Sequence, residues 1–102
     1  MIEIELAPVP NQKLTIQLND ETYEITLRET GGVMSADVKR GDEYVVRGAR
    51  VVAGTPLVPY EYLIEGNFVL NTENEEYPSY LMFGTTQTLL YVTADEIAEL
   101  VA

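Results

Sequence analysis

Apolar and polar residues alternate along short segments of the first half of the chain, and turn-forming residues separate these segments. Successive side chains of a strand point to opposite faces, so a two-residue period buries one face and leaves the other in water. Short strands of this kind are typical of antiparallel sheets. The pattern predicts an all-β fold, either a small antiparallel β-barrel or a sandwich. The alternating apolar positions are Ile2, Ile4, Leu6, Leu14, Ile16, Leu18, Tyr23, Ile25, Leu27, Met34, Ala36 and Val38.

Turns are predicted where glycine, asparagine or aspartate stands between two alternating segments. Asn19-Asp20, Gly31-Gly32 and Gly41 occupy three such positions, and these residue types adopt the backbone conformations that tight turns need. Gly48 instead interrupts a valine-rich segment, which indicates a bulge or a bend inside a strand.

The second half of the chain is less regular, and its strands are predicted from apolar runs. Gly66-Asn67 is expected to form a hairpin turn, because both residue types are common in turns. The bend after residues 51–53 is assigned to Gly54-Thr55-Pro56. The predicted strands are residues 51–53, 63–64, 68–70, 80–83 and 89–92.

The last ten residues change to helical spacing. Thr93 and Glu96 form a capping-box pattern, in which each side chain binds the backbone N–H of the other residue. Ile97, Leu100 and Val101 would then share one side of a helix. We expect a C-terminal helix of one or two turns, and a single β domain over residues 1–102.

Charge and composition restrict the possible partners. The chain has 102 residues, six basic and seventeen acidic, with a net charge of −11. Such a surface repels phosphate groups and anionic lipids, so we expect neither stable nucleic-acid binding nor membrane binding. Cysteine is absent, and the N-terminal sequence resembles no secretory signal. The chain is therefore expected to be made in a reducing cytoplasm.

The side chains that usually perform catalysis are scarce. The chain contains no histidine and no cysteine, which removes the commonest general base, metal ligand and thiol nucleophile. Its serines, Ser35 and Ser79, lie outside any nucleophile motif. We predict no enzymatic activity, no cofactor and no metal site. Whether the acidic loop 71–76 binds a cation is left open.

Tyrosine and arginine are the residue types that the chain offers for recognition. Tyr23, Tyr44 and Tyr91 lie inside predicted strands and are expected in the core or at its edge. For Tyr60 and Tyr62, core packing and a partner-facing surface are equally compatible with the pattern. Tyrosine and arginine are enriched at protein interfaces. The predicted interface residues are Arg47, Arg50, Tyr60, Tyr62, Tyr77 and Tyr80.

Several segments in order resemble the small baseplate plug proteins of contractile-tailed bacteriophages, of which a cyanophage protein is the type. The order and spacing of the segments carry this resemblance over about residues 2–96, and no single motif does. The segments are PNQ at 10–12, Tyr23, Ile25, Leu27 and Arg28, Asp37-Val38, VRGARVVAGTPLV at 46–58, YEYL at 60–63 and LYVT at 90–93.

The resemblance implies a non-enzymatic virion protein of the tail baseplate. It implies an OB-like β-barrel that packs beside or between the hub and tube-initiator proteins, and contacts with other baseplate proteins such as the wedge. It supplies no catalytic or ligand-binding residue to transfer. The alternative is a free-standing cytoplasmic β-barrel that binds a small ligand or a peptide.

Overall fold

The structure, a computed structural model, describes residues 2–18, 20–58, 66–73, 77–93 and 95–96. Its strands form two antiparallel sheets, one with the order β1-β7-β6 and the other with the order β2-β3-β4-β5. The prediction of an all-β antiparallel fold is confirmed, and a sandwich is the form that it takes. The strands are β1 (Ile2–Ile4), β2 (Asn11–Leu18), β3 (Glu21–Thr30), β4 (Val33–Arg40), β5 (Glu43–Arg50), β6 (Gly66–Thr72) and β7 (Gln87–Thr93).

The four-stranded sheet is a meander in which each strand pairs with the next one along the chain. Its turns contain the residues that the sequence marks: Asp20, Gly31, Gly32 and Gly41 all have positive φ, the region that favours glycine and tolerates aspartate. The predicted interruption at Gly48 is also confirmed. Gly48 has φ of +65°, and the pairing of β4 with β5 shifts register on both sides of Val38.

The core lies between the two sheets. Tyr23 of β3 packs edge-on against Phe68 of β6, with ring centroids 5.6 Å apart, and Phe68 packs against Tyr91 of β7 at 5.4 Å. The two tyrosines are 2–3% exposed and Phe68 is fully buried, so the prediction of Tyr23 and Tyr91 as core residues is confirmed. Aromatic pairs in tilted geometry contribute about 0.5–1.5 kcal/mol beyond the area that they bury. This cluster ties one sheet to the other.

No strand pairing among the described residues closes the two sheets into a barrel. The edges of β1 and β2 instead border an open groove of about 460 Å³. Within the described residues, the only bridge outside the named strands is that between Phe83 and Gln87.

Residues 51–58 cross from the four-stranded sheet to the outer edge of β6. The prediction of a strand at 51–53 is wrong, because β5 ends at Arg50 and the chain then leaves the sheet. The Val51 N–H still donates to a β4 carbonyl, whereas the N–H groups of Gly54 and Leu57 donate to carbonyls of β6. The crossover thereby covers an edge of the three-stranded sheet that would otherwise expose unpaired backbone groups.

The end of the crossover is fixed by a buried asparagine. Asn67 is 1% exposed, and its amide binds the backbone of Val58 twice, accepting from the N–H at 3.0 Å and donating to the carbonyl at 2.7 Å. The predicted turn at Gly66-Asn67 is wrong, because both residues lie in β6. The Asn67 side-chain amide pairs with the Val58 backbone as a neighbouring strand would. Gly66 has no side chain, which allows the close approach of Tyr91.

The prediction of a strand at residues 80–83 is also wrong. Tyr80–Met82 form a short 3-10 helix, and the Phe83 N–H donates to the Tyr80 carbonyl at 3.2 Å. A hydrogen bond over three residues closes the chain on itself, which an extended strand cannot do. An apolar run of four residues does not distinguish the two structures.

The capping box at the C-terminal end is confirmed. The Thr93 N–H donates to the Glu96 carboxylate at 2.9 Å, and the Glu96 N–H donates to the Thr93 hydroxyl at 3.3 Å. Residues 95–96 are helical, and the remainder of the predicted helix, with Ile97, Leu100 and Val101, lies outside the described residues. Among the described residues, no helix has the length and apolar character needed to cross a membrane.

We predict that Gly66→Ala destabilises the sandwich. A methyl group there would overlap the Val92 carbonyl oxygen and lie 2.7 Å from the Tyr91 hydroxyl, so the backbone or the core ring must move. We expect the free energy of unfolding, measured by urea denaturation, to fall by about 3 kcal/mol. Gly32→Ala is the control, because its methyl group would meet no atom within 4 Å and costs about 1 kcal/mol in backbone strain. Equal losses in the two variants would contradict the close approach at Gly66.

Candidate protein–protein interface

The described residues do not assemble a metal-binding cluster. Within them, no group of three or more His, Cys, Asp or Glu side chains is placed to hold a metal ion. The acidic loop 71–76, left open as a cation site, lies partly outside the described residues, which omit 74–76. Surfaces that another protein could cover are the remaining candidates for a functional site.

Tyr77 is displayed on the surface by a buried glutamine. The ring of Tyr77 is 90% exposed, whereas Gln87 is fully buried. The Gln87 amide donates to the Tyr77 carbonyl and accepts from the Ser79 N–H, both at 2.8 Å. Because both bonds go to backbone atoms, Gln87 holds the segment 77–79 in place without covering the ring. A large aromatic side chain on an anchored backbone loses little entropy when a partner binds it.

Tyr77 borders an open groove of about 490 Å³, which we call the Tyr77 groove. Val52 and Tyr77 are exposed apolar side chains of its rim, and Arg50 supplies a charge. An apolar surface with a few polar groups and an arginine is typical of the centre of a protein interface. The lining residues are Arg50, residues 51–54, Asn71, Thr72, Tyr77 and Pro78.

The structure therefore brings two of the predicted interface residues, Arg50 and Tyr77, to one groove, which Arg47 and Tyr80 do not line. Tyr80 is half-buried and packs against the hydrophobic core. Tyr60 and Tyr62 lie outside the described residues. Arg47 lies on the outer face of the four-stranded sheet, where it stacks on Tyr44.

Tyr44 is not a core residue, and this prediction is wrong. Its side chain is 46% exposed, because β5 pairs it with Lys39 on the outer face before the register shifts next to Val38. The Arg47 guanidinium lies over its ring, 4.4 Å from the centroid, and the Lys39 ammonium lies 5.6 Å from it. Both distances are within the range of cation–π attraction.

Asp37 fixes the bulge that carries Arg47. Its carboxylate accepts from the Gly48 N–H at 2.6 Å and from the Arg28 guanidinium at 2.6 Å. The residue is 8% exposed, so these bonds replace the water that a carboxylate otherwise needs. Arg47 directly precedes Gly48, so the hydrogen bond to the Gly48 N–H also fixes the backbone position of Arg47.

The same contacts change the acidity of Asp37. Burial by itself would raise the pKa of Asp37, but the Gly48 N–H and the Arg28 hydrogen bond outweigh it, together with the charges of Arg28 and Arg47. The pKa of Asp37 therefore lies below its ordinary value, and the carboxylate is charged at neutral pH.

Sequence reasoning missed Asp37, Asn67 and Gln87 as positioning residues. Each is a polar side chain inside a strand, and each is at most 8% exposed. In the sequence, Asp37 and Asn67 resemble turn or surface residues. Their hydrogen-bond partners become known only when the pairing register of the strands is known. The sequence does contain one signal for Asp37. It lies between Ala36 and Val38 in a predicted strand, where aspartate is a depleted residue type.

We predict that Asp37→Asn destabilises the fold in a pH-dependent way. A pKa that is lower in the folded state means that the carboxylate stabilises the fold above its unfolded pKa of about 3.9 and loses this effect as pH falls through the folded value. The free energy of unfolding should fall by about 1–3 kcal/mol at pH 7. The difference from wild type should shrink as pH falls below about 4 and vanish once the folded carboxyl is protonated.

The control for that prediction is Glu24→Gln on the same face. Glu24 faces Lys13 at 3.6 Å in an exposed pair, for which a loss below about 0.5 kcal/mol is expected. A pH-independent difference for Asp37→Asn, measured by urea denaturation from pH 2 to 8, would contradict the role of the charged carboxylate.

We further predict that the two tyrosines next to Pro78 differ in their effect on stability. Tyr77→Ser should leave the free energy of unfolding within about 0.5 kcal/mol of wild type, because an exposed ring contributes little packing. Tyr80→Ser should lower it by about 1–3 kcal/mol, because its ring packs partly against the core. Thermal and urea unfolding measure both, and a large loss for Tyr77→Ser would assign its ring to the fold.

No curated protein matches the chain. A family model described as the cyanophage baseplate Pam3 plug gp18 matches residues 1–95, which include all seven strands and both surfaces described above. This match over nearly the whole chain confirms the resemblance to baseplate plug proteins that the order of the sequence segments indicated. The chain belongs to this family of phage baseplate plugs, which are structural components of the virion tail.

Proposed function

We propose that the chain is a non-enzymatic plug of a contractile phage tail baseplate and that it packs against the hub and tube-initiator proteins. The family match over residues 1–95 is the observation that carries this proposal. The protein is made in the host cytoplasm and is then built into the tail. It requires no cofactor, and its partners are other baseplate proteins, including the wedge, without stable contacts to nucleic acid or membrane.

The Tyr77 groove is the surface through which the chain meets a baseplate partner. It combines a ring that is 90% exposed with a backbone anchored by Gln87, and it places Arg50 on the same groove. Exposed aromatic rings that are held in place provide the largest contributions at protein interfaces. The partner therefore supplies an apolar pocket for the ring and a carboxylate or carbonyl for the arginine.

Tail assembly with substituted chains tests this proposal. Tyr77→Ser should reduce the amount of the chain in purified tails about tenfold, since the loss of a central aromatic contact costs more than 1.4 kcal/mol. The tails are purified from infections in which only the variant chain is supplied, and the chain is quantified by immunoblot. Folding of the variant is checked by thermal unfolding.

Ile2→Ser is the matched control. Ile2 is also an exposed apolar residue, at 49%, but it lies in β1, at the edge of the three-stranded sheet opposite to β6. This variant should be incorporated as wild type is. Normal incorporation of a folded Tyr77→Ser chain would contradict the Tyr77 groove as the interface. Absence of the wild-type chain from the tails would contradict the baseplate role itself.

A further inference from the structure

The basic residues of the chain are confined to one of the two sheets. All six Lys and Arg residues lie in β2–β5, where seven acidic residues of the segment 11–50 nearly balance them. Residues 1–10 and 51–102, which supply β1, β6 and β7, contain ten acidic residues and no Lys or Arg. The net charge of −11 therefore comes almost entirely from these residues. We call the part of them that the structure describes, residues 2–10, 51–58, 66–73, 77–93 and 95–96, the acidic half.

Strand register places five of the six basic residues on the outer face of the four-stranded sheet. Paired residues of antiparallel strands share a face, and the pairs Arg28–Ser35 and Ser35–Arg50 form one row across it. Glu24, Lys39 and Tyr44 form another row. We call this surface the basic face. Its cations are Lys13, Arg28, Lys39, Arg47 and Arg50, and its carboxylates are Glu24 and Asp37.

Three of these cations form no ion pair within the described residues, although the charge of one of them, Arg47, helps to lower the pKa of Asp37. Both carboxylates of the basic face, Glu24 and Asp37, are used in ion pairs with Lys13 and Arg28. In the described part of the chain, none of the other three forms an ion pair. They are Lys39, Arg47 and Arg50.

Two of these three cations, Lys39 and Arg47, are partly ordered before any partner binds. Tyr44 lies beneath Arg47 and Lys39 at 4.4 and 5.6 Å from the ring centroid, and the Asp37–Gly48 bond fixes the backbone next to Arg47. Ordering a long cationic side chain is a main cost of forming a surface ion pair. A cation that already rests on a ring avoids part of that cost.

We infer that the basic face binds the acidic half of a second copy of this chain, head to tail. The charges require this direction: a two-fold contact through the basic face would put cations against cations, whereas a head-to-tail contact puts cations against carboxylates. Glu3, Glu5 and Glu73 are exposed carboxylates of the acidic half, and no Lys or Arg of that half competes for them. A contact of this type builds a ring or an open chain of copies.

The same features disfavour a nucleic acid on the basic face. Duplex DNA carries one charge per about 1.7 Å of its axis, and its binding depends on many phosphate contacts. Three cations without an ion pair provide few phosphate contacts for a duplex. The same number is sufficient for the few exposed carboxylates of a compact partner, such as Glu3, Glu5 and Glu73.

Sedimentation velocity of the purified full chain tests the inference without any baseplate protein, so its outcome is independent of the proposed function. Wild type should form species larger than a monomer in a concentration-dependent way at 50 mM NaCl. The apparent dissociation constant should weaken about tenfold at 500 mM NaCl, since screening removes surface attraction. Lys39→Gln with Arg47→Gln should weaken it about tenfold at low salt, with thermal unfolding showing that the variant is folded.

Thr55→Glu with Thr85→Glu is the matched control. It lowers the net charge by the same two units, but at exposed turn positions of the acidic half, and association should be unchanged or stronger. Equal weakening in both double variants would mean that net charge alone controls association, which overturns the inference. A wild-type chain that remains monomeric at all concentrations overturns it as well. Duplex DNA binding in a gel shift that is lost in the Lys39→Gln, Arg47→Gln variant would assign the basic face to nucleic acid instead.

Discussion

The hydrogen bond from the Gly48 N–H to the Asp37 carboxylate determines where the four-stranded sheet stops being regular. The extra backbone at Gly48 requires positive φ, and the charged carboxylate holds it against β4. Beyond this bulge, Ala49 points to the core and Arg50 to the surface, and the chain leaves the sheet. The crossover to β6, and with it one wall of the Tyr77 groove, begins at that point.

Three buried polar side chains hold backbone segments that strand pairing does not hold. Asp37 binds a bulge, Asn67 binds the end of the crossover and Gln87 binds the segment that displays Tyr77. Each is nearly inaccessible to water and each binds backbone groups, so the loss of one would leave buried donors or acceptors unpaired. A protein whose function is to present a fixed surface benefits from loops that are held in this way, because a partner then has little entropy to remove.

The sequence predicts the meander and the core well and the connections poorly. Strict alternation over Tyr23, Ile25 and Leu27 allows only one face of this strand to be buried. The turn glycines fix the lengths of the hairpins, so few pairing registers are possible. Alternation fails at Tyr44, where three consecutive apolar residues allow two registers and the shift next to Val38 selects the exposed one. Gly66 looks like a turn residue, but its lack of a side chain serves the packing of Tyr91. Long-range contacts decide such positions, and no local pattern contains them.

The same limit applies to the surfaces. Composition identifies tyrosine and arginine as candidate interface residues, but exposure separates Tyr77 from Tyr80. Of Arg47 and Arg50, which share the outer face of the sheet, only Arg50 lines the Tyr77 groove. A cryo-microscopy map of the tail baseplate at side-chain resolution would show directly whether a partner covers the Tyr77 groove. We expect density for this sandwich, with the Tyr77 ring enclosed by another baseplate protein. A sandwich whose Tyr77 groove faces solvent, or a baseplate without the chain, would contradict this expectation.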